Sequence, residues 1–96
     1  MKFEWHPPKA ERNLAYHGVS FAEAATVFDD DRQLHRRDDL HSFAEQRYIC
    51  LGMSEQSRLL MVVYTEKQEG LIRIISAREA TTREEYEYES QSNFTG

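Results

Sequence analysis

Cysteine pairs and long apolar runs are both missing from this chain of 96 residues. Cys50 is the single cysteine, so no disulfide can form within the chain, and its neighbours in YICLG predict a small core residue. No apolar run approaches the roughly 20 residues that cross a bilayer. The first residues, MKFEWHPPK, lack the apolar region of a signal peptide. We therefore expect a cytoplasmic protein without a membrane segment.

Standard enzyme motifs are missing as well. The sequence contains no GxSxG, no P-loop and no GxGxxG. The four histidines (His6, His17, His35 and His41) and the one cysteine do not have the spacing of metal ligands. The run DDD at positions 29–31 is better explained as a loop that stops a helix. We therefore expect neither a metal nor a cofactor.

Excess positive charge, the usual mark of a nucleic-acid-binding protein, is also absent, since the net charge is −5. The acids are unevenly placed, however, and four of them lie in EEYEYE near the C-terminus. Before Glu84 the chain carries 13 acidic and 12 basic residues, a net charge of −1. This body can hold a local basic site. The acidic segment could shield that site, bind a basic partner or form a solvated helix face.

The length fits one domain, residues 1–96, with a small core. Residues 1–5 predict a short edge strand. A helix should begin at Pro7, because proline suits the first helical turn, and end before Gly18. Ala10, Leu14 and His17 then share one helical face, so His17 is more simply a core histidine than a base.

A second helix is predicted after Ser20, which forms a capping-box pattern with Glu23. Its apolar stripe consists of Phe21, Ala24, Ala25 and Phe28. Residues 29–46 show no periodicity and are predicted to form a long loop, which in so small a domain indicates a functional or mobile segment.

Three strands should follow, at Arg47–Gly52, Leu59–Thr65 and Leu71–Ala77, joined by short polar links that favour antiparallel hairpins. Thr81 or Thr82 can cap a last helix, TREEYEYESQ, before a frayed end, SNFTG. The prediction is an α+β fold, an antiparallel sheet of about four strands with two N-terminal helices and one C-terminal helix, in the order β-α-α-β-β-β-α. Residues 84–96 form its acidic, partly frayed tail.

The strand LIRIISA contains one arginine and is followed by another. Strict alternation sends Leu71, Arg73, Ile75 and Ala77 to one face and Ile72, Ile74, Ser76 and Arg78 to the other. Arginine binds phosphate through two parallel hydrogen bonds and keeps its charge. The alternative is a structural salt bridge, for example to Glu45 or Glu66.

The remaining candidate residues are dispersed along the chain: Lys9, His17, Glu45, Arg47, Arg73 and Arg78. Such a set can cleave RNA without a metal. The 2′-hydroxyl attacks phosphorus, a base and an acid move the protons, and cations hold the charge on the phosphoryl oxygens.

Several segments in order along the chain resemble the BrnT family, the toxins of a bacterial type II toxin–antitoxin system. They are Phe3-Glu4-Trp5 with Pro7, Lys9 and Asn13, His17-Gly18-Val19-Ser20-Phe21, Glu23-Ala24, Phe28-Asp29-Asp30, Glu45 with Arg47-Tyr48 and Gly52, Val62-Val63-Tyr64-Thr65, and Arg73-Ile74-Ile75-Ser76-Ala77-Arg78 with Ala80, Thr81, Arg83 and Glu84. The combination of FEWxPxKxxxN, HGVSF and RIISAR is specific.

The resemblance implies a RelE-like fold, a ribonuclease activity that blocks translation, and neutralisation by a BrnA-type antitoxin. That antitoxin carries a ribbon-helix-helix domain, so operator DNA is reached only through it. On this chain the resemblance makes Lys9, Arg47, Arg73 and Arg78 candidates for holding phosphate. It makes Glu45 and His17 candidates for proton transfer. Residues 9–21 and 29–45 are candidate antitoxin contacts.

Three positions depart from the family pattern. His6 replaces a usual Asp, Tyr16 replaces a usual Lys, and Glu79 follows Arg78 where a carboxylate could occupy the guanidinium. Fewer cations weaken RNA affinity. The alternative function is therefore that of a catalytically weak or inactive homologue, which acts as a non-enzymatic module that binds the antitoxin and tunes repression.

Overall fold

A computed structural model describes residues 1–41 and 45–91, and within them the chain forms a five-stranded sheet and three α-helices. The strands are β1 (Lys2–Glu4), β2 (Leu34–Arg37), β3 (Tyr48–Met53), β4 (Leu59–Gln68) and β5 (Leu71–Glu79). The helices are α1 (Pro7–His17), α2 (Phe21–Ala25) and α3 (Thr82–Glu89). This is the expected α+β class.

The sheet has the strand order β1-β5-β4-β3-β2. The two predicted hairpins, β3–β4 and β4–β5, are antiparallel as expected, while the edge strand β1 runs parallel to β5. The prediction of about four strands was wrong, because β2 lies inside the segment predicted as loop. Three of its four residues are exposed, so it has no alternation to detect, and its backbone pairing with β3 creates the strand.

The first two helices begin where the sequence indicates, and α1 also ends where it indicates. Gly18 ends α1 with φ +70°, and its N–H donates to the Leu14 carbonyl at 2.9 Å. Ser20 caps α2 by accepting from the Glu23 N–H at 3.0 Å. The chain then tightens into a 3-10 turn, Thr26–Asp29, so the predicted second helix is shorter than its apolar stripe.

One face of the sheet carries the core. Its largest fully buried side chains are Phe21, Leu60, Ile74, Val19, Val27, Val62 and Cys50. They come from α2, the segments flanking it and the three central strands. The prediction of Cys50 as a core residue is confirmed, since it is 0% exposed.

Of the three residues predicted on the inner face of α1, Ala10 packs against the core, but the prediction was wrong for Leu14 and His17. Leu14 is 52% exposed and His17 is also exposed, whereas Asn13 is buried. The physical reason is the edge of β5, which extends beyond the end of β1 and leaves backbone groups to be satisfied. Asn13 accepts from the Ala77 N–H at 3.1 Å and donates to the Ala77 and Val19 carbonyls at 2.8 and 2.9 Å.

Strict alternation along β5 was also wrong. Tyr64 pairs with Ile74 and Val63 pairs with Ser76, so β5 contains one extra residue, a β-bulge at Ile75. The bulge reverses the parity that follows it. Ala77 therefore joins Ile72 and Ile74 in the core.

Beyond the bulge, the second arginine also changes face. Arg73 pairs with Thr65 and Arg78 pairs with Met61. Met61 and Thr65 are at odd-numbered positions of β4, whereas the core residues Val62 and Tyr64 are at even-numbered positions and point to the other face. Arg73 and Arg78 consequently lie on the same side of the sheet, opposite the core.

The last helix has the predicted cap. Thr81 accepts from the Glu84 N–H at 3.2 Å and Glu84 accepts from the Thr81 N–H at 2.9 Å, which is a full capping box. The predicted frayed end, residues 92–96, lies outside the described residues. No helix in the described part of the chain is long and apolar enough to cross a membrane.

Candidate nucleic-acid groove

The sheet face opposite the core forms the floor of an open groove of about 850 Å³, bordered on one side by α1. We call it the α1 groove. Its floor is apolar and consists of Ile49 from β3, Met61 and Val63 from β4 and the bulge residue Ile75 from β5. The bulge thus contributes directly to the floor of the groove.

One wall of the α1 groove comes from a single face of the helix. Lys9, Arg12, Asn13 and Tyr16 line the groove and are spaced i, i+3, i+4 and i+7. Arg12 and Tyr16 were not among the predicted site residues. Their signal was present in the sequence as a polar and cationic stripe at helical spacing, but only the neighbouring apolar stripe of Ala10 and Leu14 was interpreted, as the face that meets the core.

The opposite wall is formed by Arg47, just before β3, and Asp38, just after β2. The Asp38 N–H donates to the Arg47 carbonyl at 2.8 Å, which holds these two segments together. The residues that line the groove therefore include three cations, Lys9, Arg12 and Arg47, against one carboxylate, Asp38. A net positive groove results on a chain whose net charge is −5.

The electrostatics of Lys9 show that the cations are close together. Burial is the largest effect that lowers the pKa of Lys9, and the charges of Arg47, Arg12 and Arg73 lower that pKa further. Glu45 acts in the opposite direction. Like charges held at one place favour an anion that neutralises them, and a phosphodiester is such an anion.

The predicted site residues divide into two groups by position. Lys9, His17 and Arg47 line the α1 groove, while Glu45 and Arg73 lie near enough to change the pKa of Lys9. Lys9, Glu45, Arg47 and Arg73 therefore lie near one another, while His17 lines the same groove about two helical turns beyond Lys9. The partners of Arg73 and Glu45 within the chain are known. The Arg73 Nε donates to a Glu4 carboxylate oxygen at 2.7 Å, and the Glu45 carboxylate lies 3.5 Å from the Lys67 amine.

Arg78 has a different environment. Its two terminal nitrogens donate to the two carboxylate oxygens of Glu84 at 2.8 and 2.9 Å, and one also donates to the Glu79 carbonyl at 3.1 Å. The Glu79 carboxylate instead lies 3.7 Å from Arg58. The sequence predicted that the Glu79 carboxylate could occupy the Arg78 guanidinium, but the Glu84 carboxylate on α3 occupies it instead. Arg78 neighbours the groove through Met61 but is directed to α3.

Two other reactive side chains do not line the α1 groove. His35 has one ring nitrogen 2.6 Å from the Tyr64 hydroxyl and the other 2.7 Å from the Gln33 side-chain oxygen. Burial lowers the pKa of His35 and raises the pKa of Cys50 to about 12. A thiol with that pKa is a poor nucleophile. Among residues 1–41 and 45–91, no group of three or more His, Cys, Asp or Glu side chains could hold a metal ion.

The chain is similar in sequence and in fold to proteins that are already known. The family described as "Ribonuclease toxin, BrnT, of type II toxin-antitoxin system" matches residues 5–84. No curated protein matches the chain. A similar solved structure is the ribonuclease toxin BrnT of Brucella abortus, which is 23% identical, with a TM-score of 0.62. The match covers 85% of this chain and 99% of that chain, and at this identity it shows a shared fold. Because the family match covers most of the chain, the chain belongs to the BrnT family of ribonuclease toxins of type II toxin–antitoxin systems.

Proposed function

We propose that this chain is a RelE-like endoribonuclease toxin that cleaves RNA in the cytoplasm without a metal ion and thereby blocks translation. The observation that carries the proposal is the α1 groove, in which three cations surround an apolar floor on an otherwise acidic protein. Negative charge builds on the phosphoryl oxygens as an RNA chain is cut, and cations held in place before the reaction stabilise that charge.

Lys9, Arg12 and Arg47 hold the reacting phosphate in this proposal. Arg12 can donate two parallel hydrogen bonds to phosphate oxygens, Lys9 adds a point charge from the same side of the groove, and Arg47 adds its charge from the opposite wall. Arg73 contributes its charge from the edge of this cluster, since its Nε already donates to Glu4. Arg78 joins them if the substrate phosphate displaces Glu84.

Proton transfer falls to the two remaining residues, His17 and Glu45. The RNA 2′-oxygen forms a bond to phosphorus as one of them accepts the hydroxyl proton. The bond from phosphorus to the 5′-oxygen breaks as the other residue donates a proton to that oxygen. The products are a 2′,3′-cyclic phosphate and a free 5′-hydroxyl, and no further reactant is required.

The test is cleavage of purified RNA by the wild-type chain and by Lys9→Ala and Arg47→Ala variants, with and without EDTA. We expect each substitution to slow cleavage by about 10²-fold or more and EDTA to have no effect. Lys2→Ala is the matched control, because Lys2 is an exposed lysine on the edge strand β1 outside the groove. Cleavage that EDTA abolishes would refute metal independence. Equal activity of Lys9→Ala and wild type would refute the role of the groove.

A type II toxin has a protein antitoxin, and we propose a BrnA-type partner with a ribbon-helix-helix domain that alone contacts operator DNA. Residues 9–21 and 29–45 are the proposed contacts, and residues 42–44 of the second segment lie outside the described part of the chain. The first segment includes the α1 wall of the groove, so an antitoxin bound there would block RNA. Expression of the toxin alone should arrest growth, and co-expression of the antitoxin should restore it.

A second function is favoured by one observation. Arg73 is bound to Glu4 and Arg78 is bound to Glu84, so two of the candidate phosphate ligands already have carboxylate partners. A chain with these contacts could serve only to bind the antitoxin and tune repression. That function predicts normal growth and intact RNA with the wild-type toxin expressed alone, together with tight binding of the antitoxin.

A further inference from the structure

An aromatic side chain stands exposed at the cationic wall of the α1 groove. Tyr16 lines the groove yet is 85% exposed. The centroids of the Tyr16 and His17 rings are 4.8 Å apart and the ring planes make an angle of 75°. This edge contact leaves most of the Tyr16 ring open to solvent. An aromatic ring presented in this way offers a flat face on which a planar group can stack.

Tyr16 is placed in line with the cations of the same helix. Lys9, Arg12 and Tyr16 lie on successive turns of one face of α1, so the ring stands about one turn, or ~6 Å, beyond Arg12. A polyanion that contacts both cations therefore continues past the tyrosine ring. A nucleic acid strand carries both phosphates and bases, so it can place phosphates on the two cations and a base on the ring that follows them.

The floor of the groove distinguishes between the forms of RNA. Ile49 and Met61, which are half-buried, offer apolar surface, which gains nothing from phosphates or from ribose hydroxyls. A duplex presents mainly phosphates and hydroxyls because its bases are stacked inside. A single strand can turn its bases toward the floor and its phosphates toward the cations.

We infer that the α1 groove takes single-stranded RNA and that Tyr16 stacks on one of its bases. The inference deepens the proposed ribonuclease function by naming the form of the substrate and a residue that positions it. Charge complementarity supports a nucleic acid as the occupant, since the lining carries three cations and one carboxylate.

The test uses an RNA that the protein cannot cut. A short 2′-O-methyl strand lacks the attacking hydroxyl, and one 2-aminopurine in it reports stacking through loss of fluorescence. We expect quenching on binding to the wild-type chain, about tenfold weaker binding to Tyr16→Ala with the quenching lost, and retention of both by Tyr16→Phe. The same strand in a duplex should bind more weakly than the single strand.

Tyr86→Ala is the matched control, because Tyr86 is 66% exposed on α3 and does not line the groove. Equal binding and quenching by Tyr16→Ala and wild type would overturn the base contact, as would a duplex that binds as well as the single strand. If either result is found and RNA is still cleaved in a Lys9-dependent manner, the ribonuclease function is supported without the base contact of Tyr16. Tyr16-dependent quenching without any cleavage of natural RNA would instead support this inference and refute the nuclease.

Discussion

Asn13 connects the helix that carries the groove cations to the strand that carries the bulge. Its side chain makes three hydrogen bonds to backbone atoms of Ala77 and Val19, and it is 8% exposed. The position of Lys9, Arg12 and Tyr16 relative to the sheet depends on this contact.

Replacing Asn13 by alanine should therefore destabilise the protein by about 2–4 kcal/mol, because buried backbone groups of β5 and of the α1–α2 loop would lose their partners. Urea unfolding of the variant measures this loss. Leu14→Ala is the control on the same helix, and it should cost much less since Leu14 is 52% exposed. Similar losses for the two variants would contradict a bridging role for Asn13.

The residues that the sequence predicted correctly are those whose partners are local. Gly18, Ser20 and Thr81 each satisfy a helix end within four residues of themselves, so their identity alone indicates their role. Asn13 was missed because Ala77 is 64 residues away. Arg12 was missed for a similar reason, since the face of α1 that meets the groove is set by this long-range contact.

At the scale of elements, the sequence predicted strands that alternate and missed features that depend on pairing. β2 exists because its backbone completes the edge of β3, although its side chains are mostly exposed. The bulge in β5 is visible only in its register with β4. The local sequence pattern reveals neither the pairing of β2 with β3 nor the register between β4 and β5. The number of strands and the face on which each residue after Ile75 lies could therefore not be predicted.

The helix α3 is held at both ends. The Thr81–Glu84 capping box fixes its start, and in its last turn Tyr88, 7% exposed, donates from its hydroxyl to the Asp30 carboxylate. Burial is the main cause that raises the pKa of Tyr88 to about 12, so the hydroxyl remains a donor at ordinary pH.

Tyr88→Phe removes only that hydroxyl, and we expect it to lower the free energy of unfolding by about 1–1.5 kcal/mol. The loss stays moderate because Asp30 keeps hydrogen bonds from the Met53 and Arg32 N–H groups. Thermal unfolding measures the effect, with Tyr86→Phe on the exposed side of the same helix as its control. Identical melting temperatures for the two variants would show that the hydroxyl does not fasten α3.

For the whole molecule, the acidic C-terminal run and the basic groove are compatible because they occupy different places. Glu84 binds Arg78 and Glu87 lies 3.4 Å from Arg36, so part of the run neutralises arginines of the body. Lys9 and Arg12 face the groove from α1. The net charge of −5 thus conceals a local positive site, as the uneven distribution of acids in the sequence indicated.

Buried carboxylates make the stability of the whole chain sensitive to acid. A hydrogen bond from Arg58 is the largest cause that lowers the pKa of Glu23, outweighing burial, and Ser54 lowers it further. For Glu84 and Asp30, burial alone would raise the pKa, but their hydrogen bonds together lower it below its usual value. Each of these groups is therefore a weaker base in the folded chain than in the unfolded one.

The free energy of unfolding should accordingly fall as the solution becomes acidic. A carboxylate with a lowered folded pKa contributes stability that is present above its unfolded value, about 4, and is lost as pH falls through the folded pKa. His35 adds a shallower loss that begins near its ordinary value of 6.5, because burial lowers its folded pKa too. Urea midpoints measured between pH 7 and 3 should show both the loss due to His35 and the loss due to the carboxylates.

Glu23→Gln tests the contribution of one carboxylate. This variant should be less stable than wild type at pH 7 but should lose less stability below pH 5. Glu89→Gln, at an exposed glutamate of α3, should follow the wild-type curve. Parallel curves for Glu23→Gln and wild type would show that the Glu23–Arg58 pair is not a source of the acid sensitivity.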